Sequence, residues 1–327
     1  MRDSTIDIAK GIGIFLVVLG HFAVFASPLY HYIYLFHMPL FFFISGMFAK
    51  PMSIKECLVK KTKRLLVPYL FYWTFNHLIQ YIGQTIVFHD FSLRDMNLDI
   101  LVGGVLWFLI SLWSIYLIYT IGCLVGRYAY FLYSVISIIG LILGYNNIRL
   151  PFYLSQTMLM LPFFLIGNIF KNKHIKGRSL YGHLSDYSIY SWPFLIAAII
   201  YFIPCGFMDI NGPIIPNILQ FFITPLSGII IVLILSNQFS TFWKRLMIDK
   251  LGKKSLQILG IHSPFVSLIW IISIPALMKC FSLIGIMISG EQIKTSIYLQ
   301  LLLSIALTYF SYRLGLFLMR IFPQVLK

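Results

Sequence analysis

Apolar stretches of about twenty residues recur along the whole sequence, separated by short polar or basic segments. A helix of ~20 apolar residues crosses the hydrocarbon core of a bilayer. In that medium the backbone must satisfy its own hydrogen bonds, which a helix does within one segment. The pattern therefore predicts an all-α, polytopic membrane protein with about ten transmembrane helices. They are expected at 8–26, 30–48, 66–88, 101–123, 128–146, 151–170, 187–204, 215–236, 255–277 and 297–320. Hydrophobic residues make up 59% of the 327 and charged residues 11%, which excludes an ordinary soluble domain. With no long polar linker, one transmembrane domain over 1–327 is expected, and the stretch 278–290 is a candidate re-entrant segment.

The formal net charge of +15 would suit a nucleic-acid partner, but the cations lie between apolar spans. Membrane orientation accounts for them, so no nucleic acid is expected. With the N-terminus inside, cytoplasmic loops collect Lys50 to Arg64, Arg127, Lys171 to Arg178 and Lys244 to Lys254. Outer loops hold Arg94, Arg149, Lys279 and Lys294, and the loop 89–100 carries Asp90, Asp95 and Asp99. This asymmetry predicts N-in, C-in. The start is expected to remain uncleaved, because Asp3 and Asp7 do not suit a signal peptide and the apolar run contains His21. Cys57, Cys123, Cys205 and Cys280 are scattered, which predicts free thiols and no metal site.

The ten acidic residues fall in termini and loops, whereas His21, His37, His77, His262 and Arg313 fall inside expected spans. Ionisable groups are costly in a membrane and point to function. Lys10 and His21 are eleven residues apart, about three helical turns, so they share a face roughly 16 Å apart along the axis. Counted from a turn near Pro28 and Leu29, His37 lies at the depth of His21. A neutral imidazole can take a proton from a hydroxyl, which makes His21 the candidate general base and His37 its companion. For His77 and His262, packing against a backbone carbonyl is the expected role. Pro39, two residues after His37, is placed to tilt that helix.

Lys10 is expected at the cytoplasmic mouth with Lys61 and Arg64, a set suited to phosphate. Topology and lipid contact account for the other loop cations. Ser45 beside Gly46, and Trp107, are softer candidates for substrate contact; helix packing is their alternative.

The stretches DIAKGIGIFLVVLGH, FHMPLFFFISG, KKTKRLLVPYL, LWFLISL, LPFFLIGNIF and LGKKSLQILGIHSPF, in that order, resemble the acyltransferase 3 family of integral membrane O-acyltransferases. The family pattern of a basic residue upstream of a first-helix histidine maps onto Lys10 and His21. A paired basic pattern maps onto Lys61 and Arg64, with Lys at 10 and 61 where Arg is frequent. The resemblance is to the stand-alone form, without a fused hydrolase-like domain. It implies a bacterial cytoplasmic (inner) membrane enzyme with no permanently bound cofactor. The donor would be acyl-CoA, commonly acetyl-CoA. The acceptor would be a hydroxyl of a surface polysaccharide or its lipid-linked precursor. The competing class is a transporter or flippase for such precursors; the lack of intramembrane carboxylates counts against it.

Overall fold

The computed structural model describes residues 3–25, 27–88, 104–175, 177–204, 215, 217–283 and 286–326. The loop 89–100 and Cys205 lie outside these residues.

Helices dominate. Helix α1 (Ser4–Phe22) starts where the Asp3 carboxylate accepts the Thr5 N–H at 2.9 Å. Helix α2 (Pro28–Met47) starts at Ser27, whose hydroxyl accepts the Tyr30 N–H at 3.2 Å, with Pro28 in the first turn. Helix α3 (Ile54–Lys61), capped by Ser53, runs through a π-helical turn (Thr62–Leu66) into α4 (Val67–Phe88). Then come α5 (Trp107–Val125), α6 (Ala129–Tyr145), α7 (Leu154–Asn172), α8 (Trp192–Phe202) and α9 (Ile218–Gln238). Short α10 (Ser240–Arg245) and α11 (Ile248–Lys253) lead to α12 (Ser255–Leu283). The chain closes with α13 (Gly290–Thr295), α14 (Ile297–Ile321) and α15 (Pro323–Leu326). Among the described residues the one sheet is a hairpin of two-residue strands, β1 (His174–Ile175) against β2 (Arg178–Ser179), with Gly177 at φ +79 in its turn.

Six helical stretches among the described residues are long and apolar enough to cross a membrane. They are Ser4–Phe22, Trp107–Tyr145, Pro151–Asn172, Ile218–Gln238, Ser255–Leu283 and Ile297–Ile321. The second is two helices: Gly126, at φ +66, breaks it into α5 and α6, which pack where Tyr133 fills the space beside Gly122. Helices α2 and α4 have the length but carry histidines, tyrosines and amides, which lowers their hydropathy. These two supply much of the site below.

Two expectations are corrected. Residues 278–283 continue α12 and do not form a segment of their own. Pro193 sits in the first turn of α8, where proline costs no helical hydrogen bond, whereas Pro68 lies just after the π-helical turn within the continuous helix from α3 to α4. Arg313 is exposed on α14. The second correction is the register of the first hairpin. Gly20 faces Ile33 and Tyr34, and Gly13 faces Leu40 and Phe41. His37 therefore lies opposite residues near Leu16 and Val17, about one turn below His21. The reason is the cap at Ser27, which starts α2 before the turn that the sequence suggests.

Two close backbone contacts set the frame. A Cβ on Gly46 would meet the Phe164 carbonyl, and one on Gly167 the Phe43 carbonyl, so α2 and α7 touch backbone to backbone. Asn168 Nδ2 adds hydrogen bonds to the Gly46 and Ala49 carbonyls, both at 3.1 Å. Gly252 likewise lies on the Asp7 carbonyl and Gly11 on the Ile248 carbonyl, which seats α11 on the first half of α1.

Candidate active site

The seat of α11 on α1 has a direct consequence. Lys253 and Lys254, immediately after Gly252, arrive beside Lys10. The three line one cavity of about 860 Å³ with Lys60, Lys63 and Arg64. Pro68, Gln257, Met319 and the α15 residues Gln324 to Leu326 complete its wall. The π-helical turn carries Lys63 and Arg64 into this lining. Some of the charge is engaged: Lys60 pairs with Glu56, Lys253 with Asp249 at 2.8 Å, and the Lys254 ammonium lies 3.4 Å from the Met319 sulfur. Six cations with no carboxylate in the lining make a site for a polyanion.

Lys61 lies apart from that lining. Its ammonium sits 3.3 Å from the centroid of the Tyr116 ring, a cation–π contact. Burial, with the Arg64 charge adding, pushes it down to about 8. Tyr116 in turn donates its hydroxyl to the Ser45 carbonyl at 3.2 Å, and Trp113 Nε1 donates to Thr62 at 3.1 Å. Lys61 and Ser45 thus meet through Tyr116, in the joint between α2, α3 and α5. Trp107 is buried against Phe42 and Tyr153, with ring centroids 6.1 and 6.2 Å away.

Three histidines lie above the cavity. His21, in the last turn of α1, has its ring centroid 5.0 Å from that of His262 on α12, with the rings tilted 49°. His262 is fully buried, and its Nδ1 lies 3.1 and 3.0 Å from the carbonyls of Ile258 and Leu259. Carbonyls only accept, so Nδ1 carries the proton and Nε2 presents a lone pair. That Nε2 is buried with no hydrogen-bond partner among the described residues. His37 is held in the same way: its Nδ1–H donates to the Ile33 carbonyl at 2.7 Å, and its ring meets Tyr34 edge to face at 4.9 Å. Side chains lean toward their own helix N-terminus. His21 on α1 and His37 on antiparallel α2 therefore lean toward each other across the one-turn offset. His77 bonds the Trp73 carbonyl at 2.7 Å.

The ring partner of His21 is thus His262, which sequence reasoning assigned to packing. The signal that was available is its motif: LGKKSLQILGIHSPF repeats the order of α1, cations first and a histidine farther along an apolar helix. The same motif carries Lys253 and Lys254.

A family model described as an acyltransferase domain matches residues 3–312, nearly the whole chain. The chain belongs to the acyltransferase 3 family. Two curated relatives carry the name nodulation protein NolL. The protein from Mesorhizobium japonicum (strain LMG 29417 / CECT 9101 / MAFF 303099) is 30% identical over 188 residues, 52% of this chain and 48% of its own. That from Sinorhizobium fredii (strain NBRC 101917 / NGR234) is 34% identical over 126 residues, 33% of each chain. The matches span about half and a third of these relatives' lengths. No solved structure matches. Family membership and the apolar helices together point to a multi-pass, predominantly helical membrane protein of this family.

Proposed function

We propose that the protein is an O-acyltransferase of the bacterial cytoplasmic membrane. In this reading it moves an acyl group, acetyl in the first instance, from acyl-CoA to a sugar hydroxyl of a surface polysaccharide or its lipid-linked precursor. The chain crosses ten times, with both ends in the cytoplasm, as the Lys and Arg distribution favours.

The observation that carries the proposal is the order of groups along α1 and α12. Lys10 on α1, and Lys253 and Lys254 just ahead of α12, stand at the wall of one cavity, and a histidine follows each two to three turns farther on. Coenzyme A is a polyphosphate with a long flexible arm. Its phosphates suit the cavity of Lys10, Arg64 and Lys254, where Arg64 supplies the bidentate fork and the lysines point charges. Its arm spans the roughly 16 Å rise from Lys10 to His21.

The chemistry follows from the histidines. The acceptor oxygen forms a bond to the thioester carbonyl carbon while His21 takes the hydroxyl proton. The C–S bond breaks, the sulfur leaves as thiolate, and His21 returns the proton to it. The ester and free coenzyme A are the products. His262 and His37, each fixed by a carbonyl at Nδ1, hold the base in place and present acceptor lone pairs beside it. Trp107, Ser45 and Lys61 support the wall through the α2–α5 joint.

The test is release of free coenzyme A by purified protein, dependent on glycan acceptor. Acceptor-dependent release supports the proposal, and its absence with acceptor from the producing cells refutes it.

A further inference from the structure

Helix α4 is two-faced within an apolar span. Leu78, Ile82 and Ile86 are exposed, the side suited to lipid. Asn76, Gln80 and Gln84 recur at the same four-residue step, offset by two residues, which is about 200° around the helix; Asn76 and Gln84 are half-buried and Gln80 is exposed at the rim. Amides in a membrane helix are costly unless they serve packing or a polar cavity. Gln80 and Gln84 meet a cavity. A cleft of about 140 Å³ lies between α4 and α12, lined by Gln80, Gln84, Ser263, Pro264, Ser267, Leu268 and Ile271. The Gln84 and Asn76 side-chain oxygens are buried with no hydrogen-bond partner among the described residues.

The position of the cleft matters most. Along α12 the order is Ser255 to Gln257 on the cation cavity, then His262, then Ser263 to Ile271 on the cleft. Along α4 it is Pro68 on the cavity, then Gln80 and Gln84 on the cleft. The two cavities therefore lie on opposite sides of the histidine pair, and the inner end of the cleft is one residue from His262.

We propose that this cleft is the acceptor subsite, binding the hydroxyl-bearing ring of a neutral carbohydrate. Its polar lining is amide and hydroxyl, with no charged side chain, so it suits neither a phosphate nor an amine. Amides donate and accept at once, which matches hydroxyls that do the same. At ~30 Å³ per water, the volume corresponds to about five waters, room for one sugar ring edge and not for a nucleotide. The donor thioester then reaches His21 from the cation side and the hydroxyl from the cleft side.

This inference rests on the acyltransferase function proposed above, and the test separates the two. Cells lacking the chromosomal copy receive wild type, the double variant Gln80→Leu/Gln84→Leu, or Leu78→Ala/Ile82→Ala on the opposite face. Acyl groups on their surface glycans are measured after alkaline release, and acyl-CoA binding is measured on the purified proteins. The leucine variant is expected to lose glycan acylation about tenfold or more, as expected for two unmet hydroxyl contacts. It should bind acyl-CoA within about twofold of wild type, and the opposite-face variant should acylate normally. Wild-type acylation retained in the leucine variant overturns the subsite. Loss of acyl-CoA binding with acylation also overturns it, making the amides structural. No wild-type-dependent acylation at all refutes the underlying function.

Discussion

The rings of His21 and His262 face each other with centroids 5.0 Å apart, joining the end of the first long helix to the lower third of α12. The pair sits between a cavity lined by cations and a cleft lined by amides. The proposed reaction, between an anionic donor and a neutral alcohol, calls for this order.

The two nitrogens of His262 can be tested separately. His262→Asn keeps a donor where Nδ1 meets the Ile258 and Leu259 carbonyls, and removes the Nε2 lone pair. It should fold and bind acyl-CoA normally while kcat falls about 100-fold, the lower end of what a positioned acid–base group contributes. Steady-state kinetics with a thermal melt checks both halves.

Gly252 is predicted to be the most sensitive glycine near the cation cavity. A side chain there would strike the Asp7 carbonyl on α1. Gly252→Val should cost more than the ~1–3 kcal/mol typical of overpacking, because backbone and not a side chain must yield. Gly182→Val, where the nearest atom is the Ser179 hydroxyl at 3.3 Å, should be far milder. Melting temperatures in detergent give the comparison.

Much of this architecture was legible in the sequence because a bilayer forces the issue. Each described helix over twenty residues or so coincides with an apolar run, and the cluster around Lys10 and Arg64 followed from the hairpin. What was not legible depended on contacts between distant segments. Lys253 and Lys254 reach Lys10 through the glycine contact between α11 and α1, and His262 reaches His21 through the packing of α12. The first hairpin was misregistered because the Ser27 cap moves the start of α2. Lys61 looked equivalent to Arg64 by spacing, but it belongs to the α3 face that meets Tyr116.

Donor binding should separate by position. Arg64→Ala and Lys254→Ala should raise the apparent KM for acyl-CoA with little change in kcat, as expected for contacts made equally in ground and transition states. Lys10→Arg should retain function, since the charge stays at the cavity wall. Added salt should weaken donor binding in wild type and do so less in Arg64→Ala. Initial rates across donor and salt concentrations measure all three.

Lys61 has its own pH signature. Its folded value of about 8 lies below that of an unfolded lysine, near 10.4. Between these values the unfolded chain binds more protons than the folded one, so the Lys61 contribution to stability rises with pH across this window. Below pH 8 both states are charged and the folded state carries the full burial penalty. Lys61→Met should therefore gain most over wild type near pH 7, with the difference shrinking toward pH 10. Paired melts across that range provide the check.

The central claim is that His21 removes the proton from the acceptor hydroxyl. The most direct measurement is acyl transfer by purified His21→Ala in sealed vesicles of known orientation, supplied with acyl-CoA and the acceptor glycan. The account predicts a protein that inserts, melts and binds acyl-CoA like wild type, with transfer down by ~10²–10⁴. Transfer at near wild-type rate by that variant would contradict it.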